Sequence, residues 1–213
     1  MLVVGGAAVF ACVKIAAEFQ PNHLPLHASV TSTPIPWLPE PVKRWEAPVH
    51  EMAKKYNIDP NLLMIIITME SGGNPKAQSG VGAQGLMQVM PGTAKDIAAK
   101  YLKKPRTSYD LYDPATNIEF GAAYLAYLRD EFGTANQAPT WDGTVELVAA
   151  GYNGGPGAAI SLYKGEGLSD MQTVSYSRDA LNMWRERKNK ESPTYTRWAD
   201  RGGMHLVKAA EAQ

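Results

Sequence analysis

The sequence predicts a mainly α-helical fold, on three observations. The stretch Leu62 to Met69 is apolar on every side, is preceded by Asp59-Pro60 and is stopped by Gly72-Gly73. An aspartate at the N-cap, a proline at the first helical position and a glycine stop favour a helix over a buried strand of the same composition. Second, Glu46 to Tyr56 and Asn117 to Phe132 repeat apolar residues at helical spacing. Third, the main interruption is a glycine-rich loop, Gly80 to Gly85, best read as a short hairpin or irregular turn.

The chain has 213 residues, enough for one domain with a substantial core and extensions. Its formal charge is zero, so nothing points to nucleic acid or an anionic membrane as an electrostatic partner. Cys12 is the only cysteine, and His23, His27, His50 and His205 lack metal-ligand spacing. No metal site or cofactor is therefore expected.

Residues 1–20 read as a signal peptide or membrane anchor. Leu2 to Val13 is an unbroken apolar run, but the first cation is Lys14, after the run instead of before it. Val9-Phe10-Ala11-Cys12 is an imperfect lipobox, so lipidation of Cys12 is an open alternative. Export to the periplasm or cell envelope is expected, with attachment through the N-terminus left open. Residues 21–45 carry Pro21, Pro25, Pro34, Pro36, Pro39 and Pro41 among serines and threonines, the composition of a stiff linker. Residues 46–190 form the expected domain, and residues 191–213 an extension with no functional reading.

Within the domain, Glu46 to Tyr56 turns Val49, Met52, Ala53 and Tyr56 to one face, and packs against the apolar helix. Pro91 to Tyr101 is a helix, and Pro105 to Tyr112 a loop. Asn117 to Phe132 reads as amphipathic, with Ile118, Ala122, Leu125 and Leu128 inward, and ends at Gly133. The polar loop 133–143 carries Trp141, whose alternatives are a sugar-stacking ring or a local plug, the plug being favoured. Thr144 to Ala150 is apolar helix, ended by Tyr152-Asn153-Gly154-Gly155, and Ser175 to Lys188 is the last helix. Gly80, Gly82 and Gly85 match the dinucleotide pattern GxGxxG, but no strand precedes them and no βαβ unit follows.

Chemistry points to Glu70. It is the only ionisable group of the apolar helix and stands at its C-terminal end, where the macrodipole disfavours a carboxylate. An apolar, partly closed site raises a carboxyl's pKa, as a general acid near neutral pH requires.

Glu70-Ser71, Gly85-Leu86-Met87-Gln88 followed by Met90-Pro91, and Tyr152-Asn153-Gly154-Gly155 resemble the motifs of the soluble lytic transglycosylases. That is the SLT domain, a relative of goose-type lysozyme. Asn117-Ile118, Gly121, Tyr124-Leu125 and Gln172 to Tyr176 are further echoes, and the likeness spans Ala47 to Lys188. Each motif is weak alone; together, in the family's order, they are specific. The resemblance implies a lysozyme-like helical domain with a short hairpin beside an active-site groove. It implies Glu70 as the catalytic residue and Ser79, Gln88, Met90, Tyr152, Asn153 and Tyr176 as substrate-binding. Ser79 and Gln88 would bind acetamido groups and Met90 would form an apolar wall; a turn role for Ser79 and a core role for Met90 compete. Tyr152 would lie by the acid, with core packing as its alternative. Asn153 would hold the turn, Tyr176 would approach from the opposite wall, and Asn117 would be structural. Gly151 replaces a usual alanine, and Gln172 a usual glutamate, which puts the local salt bridge in doubt.

Most glycosidases use two carboxylates, yet only Glu70 is well placed; Glu119, Glu131 and Glu146 follow no motif. By resemblance, Glu70 protonates the bond between N-acetylmuramic acid and N-acetylglucosamine in peptidoglycan glycan strands. It then takes the proton of the C6 hydroxyl as a 1,6-anhydro ring closes. A monomer is expected. The alternatives are a hydrolytic muramidase and a non-catalytic peptidoglycan-binding module.

Overall fold

Asp59 and Pro60 start the helix that the rest of the molecule surrounds. The Asp59 carboxylate accepts from the Asn61 amide at 2.8 Å, and Gly72, at φ 62°, ends the helix in the left-handed region. The structure is a computed structural model and describes residues 34–102, 109–132 and 141–213. Among these, the order is α1 (Glu40–Lys43), α2 (Glu46–Tyr56), α3 (Pro60–Ser71), α4 (Pro91–Lys100), α5 (Pro114–Phe132), α6 (Trp141–Gly154), α7 (Pro156–Tyr163), α8 (Met171–Arg185) and α9 (Pro193–Trp198). A π-helical turn (Ala199–Gly203) and α10 (Met204–Glu211) follow. The fold is mainly α, as expected. The hairpin between α3 and α4 amounts to two isolated bridges, Gln78 with Gln84 and Gln84 with Val89.

Every residue of α3 from Leu62 to Met69 is buried, because α1, α2, α8 and α10 all pack on it. That burial is the main favourable term for so apolar a helix. α5 departs from its amphipathic reading: Ile118, Phe120, Ala122, Ala123, Tyr124, Leu125, Ala126 and Leu128 are all buried. Its small residues let neighbours close in from several directions. At Gly121 an added Cβ would lie 2.3 Å from Met87 Sδ. The helix also begins earlier, at Pro114, with Asp113 Oδ2 accepting from the Thr116 amide at 2.8 Å.

Three boundaries shift. Residues 34–45, expected to belong to the linker, pack on the domain: Ile35, Leu38 and Val42 are buried, and Trp37 Nε1 donates to the Glu186 carbonyl at 3.1 Å. Pro39 and Pro41 begin α1 instead of holding the chain extended, since proline is accepted in a helix's first turn. α6 runs through Tyr152 and Asn153 before breaking at Gly155, φ 80°. α8 starts at Met171, where Asp170 Oδ2 accepts from the Thr173 amide at 2.8 Å and its hydroxyl at 2.6 Å. α7 was not anticipated. The expectations for residues 1–33, Cys12 among them, and for Gly133 and the rest of its loop to residue 140 lie outside the described residues, as does the Trp141 side chain.

Candidate active site

Glu70 sits in the last turn of α3 and lines an open cleft of about 690 Å³, solvent included. Val81, Ala83, Gln88, Val89, Met90, Thr93, Tyr124, Tyr152, Asn153, Gly155 and Gln172 complete its lining. Among these lining residues Glu70 is the only carboxyl, and none is a lysine, arginine or histidine.

Burial holds the Glu70 carboxyl up at about 7, against an ordinary value of 4.5. The apolar turns beneath it supply no charge to offset lost hydration. Tyr176, reaching across from α8, donates its hydroxyl to Glu70 Oε1 at 2.6 Å, which opposes the rise by favouring the carboxylate. Tyr176 is the one hydrogen-bond partner of Glu70 among the described residues. Its own hydroxyl is pushed up by burial and then by the Glu70 charge.

The other wall is built on Asn117. This fully buried side chain accepts from the Met87 amide at 2.7 Å and donates to the carbonyls of Gln84 at 2.8 Å and Leu111 at 2.7 Å. It thus carries one side of the hairpin. Gly85, at φ 76°, is forced: a Cβ there would lie 2.3 Å from the Leu111 carbonyl oxygen. The glycine lets the hairpin pack closely on the Leu111 carbonyl and the Asn117 side chain of α5. Ser71 joins the hairpin to the end of α3, its hydroxyl donating to the Leu86 carbonyl at 2.7 Å. Sequence reasoning gave Ser71 no role; its position next to the acid in the motif was the available signal.

The other expected site residues separate into two groups. Gln88, Met90, Tyr152 and Asn153 line the cleft with Glu70. Gln88 stands at φ 47°, and its Nε2 donates to the carbonyls of Ala77 at 3.1 Å and Gly85 at 2.9 Å. That arrangement commits the amide nitrogen and leaves the side-chain oxygen as an acceptor. Tyr152 donates to the Met87 carbonyl at 2.7 Å, not to Glu70, and burial raises its hydroxyl first, the Glu70 charge second. The Asn153 side-chain amide lies 3.2 Å from the Thr173 hydroxyl, whose single proton goes to Asp170 Oδ2 at 2.6 Å. Ser79 is not part of the cleft lining: its hydroxyl accepts from the Ala83 amide at 2.9 Å and closes the hairpin turn. Tyr176 stands behind Glu70, outside that lining. Glu119 faces away, bonded to Lys55 Nζ at 2.6 Å and the Tyr56 hydroxyl at 3.1 Å. Gln172 lines the cleft where a family glutamate was expected, so it brings no second charge. Val81, Thr93 and Tyr124 also line it and carried no expected contact.

A helical domain with one raised carboxyl at the end of a buried helix, facing a hairpin across a cleft, is the architecture of the lysozyme-like glycan-cleaving proteins. The transglycosylase SLT domain family model matches residues 47–173, and this chain belongs to that family. It is 42% identical over 118 residues to membrane-bound lytic murein transglycosylase C of Actinobacillus pleuropneumoniae serotype 5b (strain L20), covering 54% of this chain and 32% of that protein. The protein of the same name from Glaesserella parasuis serovar 5 (strain SH0165) is 33% identical over 173 residues, 78% of this chain and 47% of its own length. The chain thus spans less than half of these relatives. Among solved structures, the 70-kDa soluble lytic transglycosylase of Escherichia coli aligns with a TM-score of 0.51 at 29% identity, covering 71% of this chain and 27% of that one.

Proposed function

We propose that this chain is a lytic transglycosylase of peptidoglycan, with Glu70 as the acid and then the base. One observation carries the reading: among the described residues, the only carboxyl lining the cleft is raised by burial to about 7 and is held by a single tyrosine hydroxyl. Such a group is divided between its two forms at neutral pH and can both give and take a proton. In the first step Glu70 gives its proton to the glycosidic oxygen, the bond to C1 of the muramyl residue breaks, and the muramyl N-acetyl oxygen supports the positive centre. In the second, the Glu70 carboxylate takes the C6 hydroxyl proton while O6 bonds to C1. Glu70 ends as it began, and no water enters the product.

The lining fits that assignment. Among the described residues lining the cleft there is no second carboxylate to activate water, and Gln88, Asn153 and Gln172 supply amides for acetamido and hydroxyl groups. Met90 and Val81 offer apolar walls for sugar faces. The relatives' names, membrane-bound lytic murein transglycosylase, support a place at the cell envelope. Mass spectrometry of fragments released from purified sacculi tests the chemistry, with Glu70→Gln as control. Products lighter by one water than hydrolysed muropeptides, lost in the variant, are expected. Reducing-end products would replace the reading with a muramidase, and full release by Glu70→Gln would remove Glu70 from it. No release by the unmutated chain would favour a binding module.

A further inference from the structure

Two segments outside the family match, residues 35–45 and 192–211, meet at the two places that decide where Glu70 and Tyr176 lie. The first is the turn directly after Glu70. A Cβ on Gly72 would fall 2.5 Å from the backbone of Leu206 and Val207 in α10, and one on Gly73 2.4 Å from the Pro41 carbonyl in α1. Trp45 Nε1 donates to the Gly73 carbonyl at 2.9 Å. Arg44 ties the two flanks together, donating from Nε to the Pro41 carbonyl at 3.0 Å and from Nη2 to the Ala210 carbonyl at 3.1 Å.

The second place is α8, which carries Tyr176. Asp179 lies one helical turn beyond Tyr176 and receives Arg201 from the π-helical turn. At the end of α8, Glu186 accepts from the Ser192 hydroxyl at 2.5 Å, the Thr194 amide at 3.1 Å and the Thr194 hydroxyl at 2.9 Å. One clasp therefore holds both partners of the 2.6 Å Glu70–Tyr176 bond, from behind the cleft and without touching it.

We propose that this clasp positions the carboxyl, with Arg44 and Arg201 as positioning residues that act through the Gly72-Gly73 turn and through α8. The inference rests on the reading of Glu70 as the acid. Among the described residues, the ionisable groups acting on Glu70 are Tyr176 on α8 and Tyr152 on α6; none on α1, α2 or α10 does. Asp179 in turn faces Arg178, Arg197 and Arg201. Losing the tyrosine bond disfavours the carboxylate, so a flank variant that pulls Tyr176 from Glu70 while the carboxyl stays buried moves the Glu70 titration upward.

The test titrates Glu70 directly by NMR in protein labelled with carboxyl-¹³C glutamate, the signal being assigned by its loss in Glu70→Gln. Tyr176→Phe sets the direction and size of the shift. Arg44→Ala and Arg201→Ala are each expected to raise the midpoint in the same direction, by roughly half a pH unit. Each should also lower kcat on a soluble glycan fragment about ten-fold, with KM within about two-fold. Arg201→Lys, which keeps the pair with Asp179, is expected to restore both. Asp179→Asn removes the pair from the other side and serves if Arg201→Ala does not fold. A wild-type Glu70 midpoint and kcat in these variants, with only the melting temperature lowered, overturns the clasp. Lytic activity surviving in Glu70→Gln overturns the catalytic reading instead, while the clasp's effect on the carboxyl is still read by NMR.

Discussion

Replacing Glu70 with glutamine should stabilise this fold, and by an amount that depends on pH. The carboxyl titrates at about 7 in the folded chain and at the ordinary 4.5 once unfolded. At ~1.4 kcal/mol per pH unit, the difference is worth about 3 kcal/mol. Below pH 4.5 both states hold the proton and Glu70 contributes nothing. Between pH 4.5 and 7 the folded chain holds a proton that the unfolded chain has released, so stability falls as pH rises. Above 7 the full penalty is present. Glutamine has no charge to desolvate, and its carbonyl oxygen can still accept from Tyr176. Urea denaturation of both proteins should therefore give nearly equal stabilities at pH 4 and a gain of about 3 kcal/mol for Glu70→Gln at pH 8. In a chain of this size that gain is roughly 6–12 °C in melting temperature. A difference that does not change between the two pH values would refute the claim that burial, not local packing, sets this carboxyl's behaviour. The assay is independent of any substrate.

Asn117→Ala should cost about 3 kcal/mol or more in urea denaturation, because it leaves one buried amide and two carbonyls without their partner. Gly85→Ala should lose at least ~2 kcal/mol through its positive φ and the clash with Leu111, whereas Gly80→Ala, with open space around it, should stay within ~0.5 kcal/mol of wild type. Gln172→Glu places a second carboxylate in the cleft, and like charge disfavours ionisation of Glu70. The alkaline limb of its pH–rate profile should move upward, and an unmoved limb would show that residue 172 is too far or too well solvated to act on Glu70.

What could be read from the chain alone was local. Asp59, Pro60 and Gly72 mark the ends of α3 through bonds to residues within four positions, and the apolar run between them can only be satisfied by burial. The position of Glu70 at that helix's end, and the direction of its titration, follow from the same few residues. Motif order then identified Gln88, Met90, Tyr152 and Asn153, all of which line one cleft. The tertiary structure decided which tyrosine meets the carboxyl. Tyr152 is turned to the Met87 carbonyl, and Tyr176, 106 positions away from Glu70 along the chain, takes the acid instead. Ser79 likewise closes a turn whose partner, Ala83, could not be known without the hairpin's path. Residues 35–45 looked like linker because proline content reports chain stiffness, not what Ile35, Leu38 and Val42 meet. The C-terminal helices carried no motif at all. Their effect on the site depends on how closely α10 approaches Gly72 and how α9 and the π-helical turn hold α8, and such contacts arise only when the whole core packs at once.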